Sequence, residues 1–290
     1  MKVGIFSHCT IDKIIYENEQ YDATGGPGSY CSITARKQKH DVNLYTKFDS
    51  NYPLKDYFKE NKILTSDALS EKNTTRFRLE LNGADRKLFV ENTCDEISFM
   101  ENNDDGTIIS PVFNEISLEV FSKIKKSGNF IFLDPQGFLR EKKENNEISL
   151  KKTKLDLKNI TAIKMNPDEL YALTGLSGYD GIKQLQKLGV EYVLYTNKQE
   201  ISLLVKDKLY TISLPKMTLT DTTGIGDIFC STFVCTMLKE KDFLWALSFA
   251  GGAAQASLES KKFGLEKIPE KNALETNGSY FYNIVEFKQI

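Results

Sequence analysis

The residues best suited to chemistry lie in one short run, Thr220-Asp221-Thr222-Thr223-Gly224-Ile225-Gly226-Asp227. An apolar run with helical spacing follows at once, so the two glycines are predicted at the first turn of a buried helix. Backbone N–H groups there lack intrahelical partners and the helix dipole is positive, which favours a bound phosphate or oxyanion. Asp227 would lie beside that anion, where it could accept the proton of an alcohol that attacks phosphorus.

A plain capped helix is the alternative, because Asp, Thr and Gly are ordinary N-cap residues and short glycine motifs are weak signals. The run from Asp221 to Asp227 nevertheless resembles the C-terminal signature of the ribokinase (PfkB) family of sugar and nucleoside kinases. That family usually has Ala where this chain has Ile225. The resemblance implies that Asp227 is the catalytic base and that an anion hole is formed by the amides of Gly224, Ile225 and Gly226. It also implies Thr223 at the nucleotide and Asp221 at a monovalent cation, for which K⁺ is the candidate.

Two features near the N-terminus could hold the acceptor. Asp12 follows the first predicted strand, and Gly25-Gly26 precedes a helix-like run. Turn roles are the alternatives, but the family resemblance implies that Asp12 binds substrate hydroxyls and that Gly25 and Gly26 bring the backbone close to the same molecule. A carboxylate can accept hydrogen bonds from two vicinal hydroxyls of a polyol. Where the family often has Asn, this chain has Ser29-Tyr30, so Tyr30 is predicted to contact the acceptor and no furanose preference is implied.

A third candidate group follows the strand predicted at residues 129–133. The chain continues Asp134-Pro135-Gln136-Gly137-Phe138-Leu139-Arg140. Ligands of open α/β sheets bind beyond the carboxyl ends of strands, so Asp134, Gln136 and Arg140 are candidates to contact the acceptor or a phosphate. The family pattern Asp-x-Asn-x-Arg is matched only loosely here. A surface ion pair is the alternative role for Arg140.

The sequence Asn166-Pro167-Asp168-Glu169 opens a predicted helix after the strand at residues 160–165. An N-cap Asn, Pro at the first helical position and acids in the first turn explain it structurally. It also resembles a second motif of the family, Asn-x-x-Glu, which implies that Asn166 and Glu169 organise Mg²⁺ and phosphate. Glu169 would then act through metal-bound waters, because Mg²⁺ usually keeps several of them.

Two further residues are predicted at the nucleotide through the resemblance alone. Thr196 ends a strand that the family continues as Thr-x-Gly-x-x-Gly, whereas this chain has Asn197-Lys198-Gln199-Glu200 without glycine. That departure leaves the nucleotide preference open. Gly252 lies in the apolar helix predicted at residues 243–258, where the family places residues at the adenine; close helix packing is the alternative role.

Strand-like and helix-like segments alternate along most of the chain, which predicts a doubly wound, mostly parallel sheet flanked by helices. Residues 12–24 and 74–94 depart from this, because polar and apolar residues alternate in them as in a half-exposed antiparallel sheet. These two segments are predicted to form a small β-sheet lid inserted in a single ribokinase-like domain of residues 1–290. A helix is predicted at 115–126, and a solvated helix and loop at 141–158.

Composition narrows the function classes. The 290 residues carry 38 Lys and Arg against 40 Asp and Glu, a net charge of −2, which gives no excess of positive charge for a nucleic-acid or membrane partner. No apolar stretch reaches the roughly 18 residues of a membrane span. Five scattered cysteines and a chain that opens on a strand predict a cytoplasmic protein with reduced thiols. Two histidines disfavour a histidine triad or a zinc hydrolase, and no P-loop or dinucleotide-binding motif occurs.

Together these features predict an ATP- and Mg²⁺-dependent kinase that phosphorylates a hydroxyl of a small sugar or polyol, with ribose, a hexose and inositol all open. A nucleoside kinase is the first alternative. A non-catalytic sugar- or nucleotide-sensing protein on the same fold is the second, which the retained Asp227 disfavours. The resemblance also leaves open a homodimer formed through the lid.

Overall fold

A computed structural model describes residues 1–16, 19–82, 85–101, 103–215 and 222–290. Thr220 and Asp221 of the candidate catalytic run lie outside these ranges. The large sheet contains β1 (Lys2–Phe6), β4 (Asp41–Tyr45), β5 (Ile63–Leu64), β8 (Gly106–Ile109), β9 (Ile131–Leu133), β12 (Ala162–Met165), β13 (Tyr192–Asn197), β14 (Glu200–Val205), β15 (Lys208–Ser213) and β16 (Glu286–Gln289).

The strand order of this sheet is β16-β15-β14-β13-β12-β9-β8-β1-β4-β5. Every pairing from β13 to β5 is parallel, whereas β14, β15 and β16 add an antiparallel edge. The buried strands are rich in Val, Ile, Leu and Phe, as expected for a sheet covered on both faces. The mostly parallel sheet that the sequence predicted is therefore present.

The helices are α1 (Gly26–Lys37), α2 (Lys55–Glu60), α3 (Leu118–Ser127), α4 (Gln136–Leu139), α5 (Pro167–Thr174), α6 (Gly178–Lys187), α7 (Ile225–Glu240), α8 (Phe243–Glu259), a 3₁₀ helix (Gly264–Lys267) and α9 (Lys271–Ile284). One apolar core lies between the sheet and α1, α7, α8 and α9. A second core lies on the opposite face, under α3, α5 and α6. No described helix is both long enough and apolar enough to cross a membrane.

A separate small sheet has the order β3-β2-β6-β7, from β2 (Thr10–Tyr16), β3 (Glu19–Gly25), β6 (Arg76–Asn82) and β7 (Asp85–Asn92). It coincides with the two segments predicted as a lid. Strand β6 alternates in exposure, because Phe77 and Leu79 face the cavity under the sheet and are buried, whereas their neighbours are partly exposed. We call this sheet the lid.

Two predicted helices are wrong in detail. Residues 115–117 precede α3, whose N-cap is Ser117, and the Glu115 carboxylate instead accepts hydrogen bonds from the amides of Val112 and Phe113, both at 2.7 Å. Residues 141–158 contain no helix: β10 (Arg140–Lys142) and β11 (Ile148–Leu150) form an antiparallel hairpin. Its turn contains Asn146 with a φ of 65°, a left-handed conformation that Asn tolerates and that ends helical periodicity.

Candidate active site

A cavity of about 300 Å³ lies between the lid and the carboxyl edge of the parallel strands. The first turn of α7 closes one side of it. It is lined by Thr10, Asp12, Gly26, Pro27, Tyr30, Phe77, Leu79, Arg86, Leu88, Val112, Asp134, Gln136, Arg140, Lys164, Asn166, Glu169, Thr222, Thr223, Gly224, Gly226 and Asp227. Residues distant in the chain thus converge on the edge where open α/β sheets bind ligands.

The glycine motif forms the N-terminus of α7. Gly224 is the N-cap residue and has a left-handed backbone with a φ of 78°. The Ile225 amide donates to Thr222 O at 3.3 Å, whereas within the described chain the amides of Gly224 and Gly226 form no such backbone bond. Of the three amides predicted for the anion hole, the Gly224 and Gly226 amides are therefore the ones left for a ligand in this conformation.

Tyr30 supports the same turn from α1. A Cβ atom added at Gly224 would lie 2.4 Å from two carbons of the Tyr30 ring, so the ring packs directly on the Gly224 backbone. Tyr30 is 2% exposed and also lines the cavity. The predicted contact residue therefore forms part of the wall of the anion site.

Asp227 lies in the first turn of α7 and lines the cavity. Burial, and to a smaller extent the Asp134 carboxylate, raises the pKa of its carboxyl to about 7, although Lys164 and Arg140 oppose the rise. A carboxylate that exchanges its proton near neutral pH suits a general base. The position predicted from sequence is thus open to a ligand and electrostatically suited to its role.

A buried charge cluster lies next to Asp227. Lys164 Nζ donates to Asp134 Oδ2 at 3.0 Å and lies 3.9 Å from Glu169 Oε2. Burial alone would lower the pKa of Lys164, but the two carboxylates outweigh it and raise that pKa above its ordinary value. Lys164 Nζ is also 3.6 Å from the position of a Cβ added at Gly226. The cluster therefore holds a permanent positive charge close to the anion hole.

Asn166 and Glu169 form a capping box at the start of α5. Asn166 Oδ1 accepts from the Glu169 amide, and Glu169 Oε2 accepts from the Asn166 amide, both at 2.9 Å. The two residues therefore cap the helix, as the structural alternative predicted, and they also line the cavity. Burial raises the pKa of Glu169, which Lys164 and the Asn166 amide oppose.

The residues present fit a Mg²⁺ ion held through water. Glu169 Oε2 accepts the hydrogen bond of the capping box, so Oε1 is the oxygen that would accept a hydrogen bond from a metal-bound water. No described group of three or more His, Cys, Asp or Glu side chains could hold a metal directly. Mg²⁺ is commonly bound by one or two carboxylates, several waters and substrate phosphates, so a dense cage of side chains is not required.

Asp12, Gln136 and Arg140, three residues predicted to contact a ligand, all line the cavity. Asp12 Oδ1 is buried without a hydrogen-bond partner, and burial raises the pKa of this carboxyl to about 6. Gly25 is needed beside it, because a Cβ there would lie 2.5 Å from Asp12 Oδ2. Buried polar atoms are normally hydrogen-bonded, so an unpaired oxygen in a cavity wall can accept a hydrogen bond from a bound ligand.

Arg140 is held in place by two bonds. Its Nη1 donates to Val112 O and its Nη2 to Gln136 Oε1, each at 2.8 Å. No described carboxylate forms an ion pair with it, so the predicted alternative of a surface ion pair is not what this structure contains. Its remaining N–H groups can serve a ligand, and burial lowers the pKa of the guanidinium.

Among the described residues, four of the predicted site residues do not line the cavity: Gly25, Thr196, Ile225 and Gly252. Thr196 donates weakly to Met165 O at 3.5 Å and does not line the cavity. Gly252 is buried in α8, where an added Cβ would lie 2.6 Å from Gly278 N, so close helix packing explains it. Asp221 lies outside the described residues. The nucleotide and cation roles of these residues stay predictions.

Two charged cavity residues, Lys164 and Arg86, were not predicted as site residues from the sequence. Lys164 was assigned only to a strand, and Arg86 only to a hairpin. A lysine inside an otherwise apolar strand, Ala162-Ile163-Lys164-Met165, is the signal that could have revealed the first. Nothing in the local sequence separates Arg86 from an ordinary exposed lid residue.

Comparisons with known proteins agree with this geometry. The sequence model of the "pfkB family carbohydrate kinase" family matches residues 56–270 of this chain. Ribokinase of Arabidopsis thaliana is 26% identical over 204 residues, which are 67% of this chain and 51% of that protein. The chain thus spans about half the length of this curated relative.

Solved structures share the fold. A pyrophosphate-dependent kinase in the ribokinase family, complexed with a pyrophosphate analogue and myo-inositol, superposes with a TM-score of 0.79 at 19% identity, covering 95% of this chain and 99% of that one. Arabidopsis thaliana ribokinase complexed with ribose and ATP gives 0.73 at 17% identity, covering 95% and 98%. The fold class predicted from sequence is confirmed.

Proposed function

Because this chain belongs to the pfkB family of carbohydrate kinases, we propose that it transfers the γ-phosphoryl group of ATP to a hydroxyl of a small sugar or polyol. Ribose, a hexose and inositol are the candidate acceptors. The observation that carries this proposal is that Asp227, the Gly224 and Gly226 amides and the unpaired oxygen of Asp12 face one cavity. The donors bound by the structural relatives, ATP in one and a pyrophosphate analogue in another, are both consistent with an anion hole of this kind.

Each side chain has a task in this mechanism. Asp12 accepts hydrogen bonds from acceptor hydroxyls and, with Gln136 and Arg140, fixes one hydroxyl toward Asp227. Asp227 takes the proton of that hydroxyl as its oxygen attacks phosphorus. The Gly224 and Gly226 amides stabilise negative charge on the moving phosphoryl group, which counts for more in a water-poor cavity.

Lys164 supplies a fixed positive charge beside the same amides. Its carboxylate partners, Asp134 and Glu169, keep it protonated and immobile. Glu169 and Asn166 would hold Mg²⁺ through water, and the ion when bound neutralises charge on the donor phosphates. Lid residues Phe77, Leu79 and Leu88 limit the access of water, which would otherwise compete with the acceptor.

A donor and acceptor panel tests this proposal. The protein is incubated with ATP or pyrophosphate, Mg²⁺, and a set of sugars, inositols and nucleosides, and products are identified by mass spectrometry. A phosphorylated sugar or polyol supports the proposal, and a phosphorylated nucleoside would support the first alternative. Tight binding of a ligand without turnover would support the non-catalytic sensor instead.

Location and assembly are part of the proposal. We place the protein in the cytoplasm because its five cysteines are free and buried. The proposed homodimer would form through the lid, whose strand β3 exposes Glu19, Gln20, Tyr21 and Asp22. The mass of the protein in solution checks this point.

Replacement of Asp12 is expected to weaken acceptor binding more than turnover. A hydrogen bond to a charged group contributes about 1.5–3 kcal/mol, so Asp12→Asn should raise the acceptor KM roughly 10- to 100-fold with a smaller change in kcat. Asp22→Asn is the matched control in the same sheet, because Asp22 pairs with Arg76 outside the cavity. Equal KM values for both variants would contradict the role of Asp12.

The pH profile should follow the two raised carboxyl pKa values. Proton transfer needs ionised Asp227, so kcat/KM should rise about tenfold per pH unit below pH 7 and level off above it. Below about pH 6 the protonation of Asp12 should make the fall steeper. A flat profile between pH 5 and 8, measured at saturating donor, would contradict a base in this environment.

A further inference from the structure

A buried lysine lies behind the anion hole. Lys267, at the end of the 3₁₀ helix, is 1% exposed, and its Nζ donates to Thr223 O at 2.9 Å. Burying an ammonium group costs several kcal/mol unless it is well paired, so this position needs an explanation. Sequence reasoning assigned no function to this segment, and Lys267 does not line the cavity.

The contact has a direct geometric consequence for the anion hole. In a trans peptide the C=O and the following N–H point in opposite directions. The described chain has no cis peptide bond. An ammonium that fixes Thr223 O on one side therefore fixes the Gly224 N–H on the other, and Gly224 is a wall residue of the cavity. Tyr30 packs on the same glycine, so the peptide is held from two directions.

The segment that carries Lys267 is itself anchored. Lys37 Nζ donates to Ile268 O at 2.9 Å and to Glu270 Oε1 at 2.7 Å, which ties the segment to α1. The ring of Phe263, just before the 3₁₀ helix, packs edge to face on the Tyr21 ring of the lid, with centroids 6.5 Å apart. The ammonium is therefore held at a defined position beneath the loop.

The family resemblance predicted a monovalent cation, with Asp221 as its ligand, in the same loop two residues before Thr223. Monovalent cations such as K⁺ are held by rings of carbonyl oxygens. Here the carbonyl oxygen of Thr223 already accepts a hydrogen bond from the ammonium group of Lys267, which is similar to K⁺ in charge and size. The residues present therefore do not fit a free K⁺ ion at this carbonyl.

We propose that Lys267 is a built-in cation: its ammonium group takes the place of a bound K⁺ ion behind the anion hole and orients the Thr223–Gly224 peptide, so the protein works without K⁺. This inference rests on the proposed kinase function. Lys267 acts on the reaction through the peptide and is a positioning residue. No bond to the substrate is assigned to it.

The first test compares cations with the intact protein. Initial rates are measured in KCl, NaCl and tetramethylammonium chloride, and we expect them to agree within about twofold at matched ionic strength. Turnover that requires K⁺ would overturn the proposal and leave the kinase function standing.

The second test removes the ammonium. Lys267→Met should lower kcat by about 10²-fold, the lower end of the loss seen when one anion-hole donor is removed, and added K⁺ or NH₄⁺ should restore part of it. Lys262→Met is the matched control, because it removes an exposed lysine of the same segment. Full turnover of Lys267→Met without added cation would contradict the proposed role of Lys267. If Lys267→Met does not fold, the proposal is tested instead with Lys267→Arg and with the cation series on the intact protein.

A third measurement needs no turnover. Lys267→Ser vacates the carbonyl and should acquire a K⁺ site, so its melting temperature should be higher in KCl than in NaCl, because a bound ion stabilises the folded state. The intact protein should show no such difference. If no donor and acceptor pair gives product, the proposed function fails, while this melting comparison still decides the role of Lys267.

Discussion

Asp227→Asn is expected to fold normally and to lose about 10³-fold or more of kcat, because general-base catalysis typically contributes 10²- to 10⁴-fold. Asn has the same shape as Asp but cannot accept the proton. The acceptor KM should change little, since Asp12 and its neighbours remain. Single-turnover measurements with a saturating acceptor separate the chemical step from binding.

The same replacement should change stability in a pH-dependent way. Burial raises the pKa of Asp227 from an ordinary value of 3.8 to about 7, so the folded protein binds this proton more tightly than the unfolded chain. The stabilisation from that proton is complete below pH 3.8 and is lost as the pH rises to 7. Asp227→Asn should therefore raise the melting temperature at pH 8 relative to the parent protein, and the gain should shrink at pH 5.

Asp180→Asn is the control for both measurements. Asp180 also lies in the first turn of a helix, α6, but is exposed and does not line the cavity. It should change neither turnover nor the pH dependence of stability. An Asp227→Asn variant that keeps near-normal turnover would remove the general base from the proposed mechanism.

Gly224→Ala is expected to have the second-largest effect. At a φ of 78° a residue with a Cβ atom costs about 1–2 kcal/mol. The added Cβ would also meet the Tyr30 ring at 2.4 Å, so the turn or the ring must shift. Because the Gly224 amide belongs to the anion hole, kcat should fall by roughly 10²- to 10³-fold.

Gly175→Ala separates the two causes. Gly175 caps α5 with a φ of 73°, and a Cβ there would meet nothing within 4 Å. This variant carries the same backbone penalty without the clash and without a place in the cavity. Its melting temperature should fall modestly while kcat is unchanged. Equal effects of the two replacements on kcat would contradict a place for the Gly224 amide in the anion hole.

The local chemistry of this protein could be predicted from its sequence. The Asp221–Asp227 motif, the Asn166–Glu169 capping box and the alternating lid segments are short-range patterns, because a helix start, a cap and a strand period are set by neighbouring residues. Gln136 and Arg140 were predicted because ligands of open α/β sheets bind beyond the carboxyl ends of strands, whereas Asp12 was predicted through the family resemblance. Boundaries were less certain: Glu115 left the predicted helix because its carboxylate binds backbone amides.

Only the tertiary structure decided how charge is arranged around the site. The pairing of Lys164 with Asp134 and Glu169 joins two strands, and the bond from Lys267 to Thr223 spans 44 residues. The packing of Tyr30 on Gly224 joins α1 to α7. Burial raises the cost of each charge, and only the folded chain supplies the partner that offsets it. Local sequence patterns do not record such partners, so Lys164 and Lys267 were recognised at this site only in the folded structure.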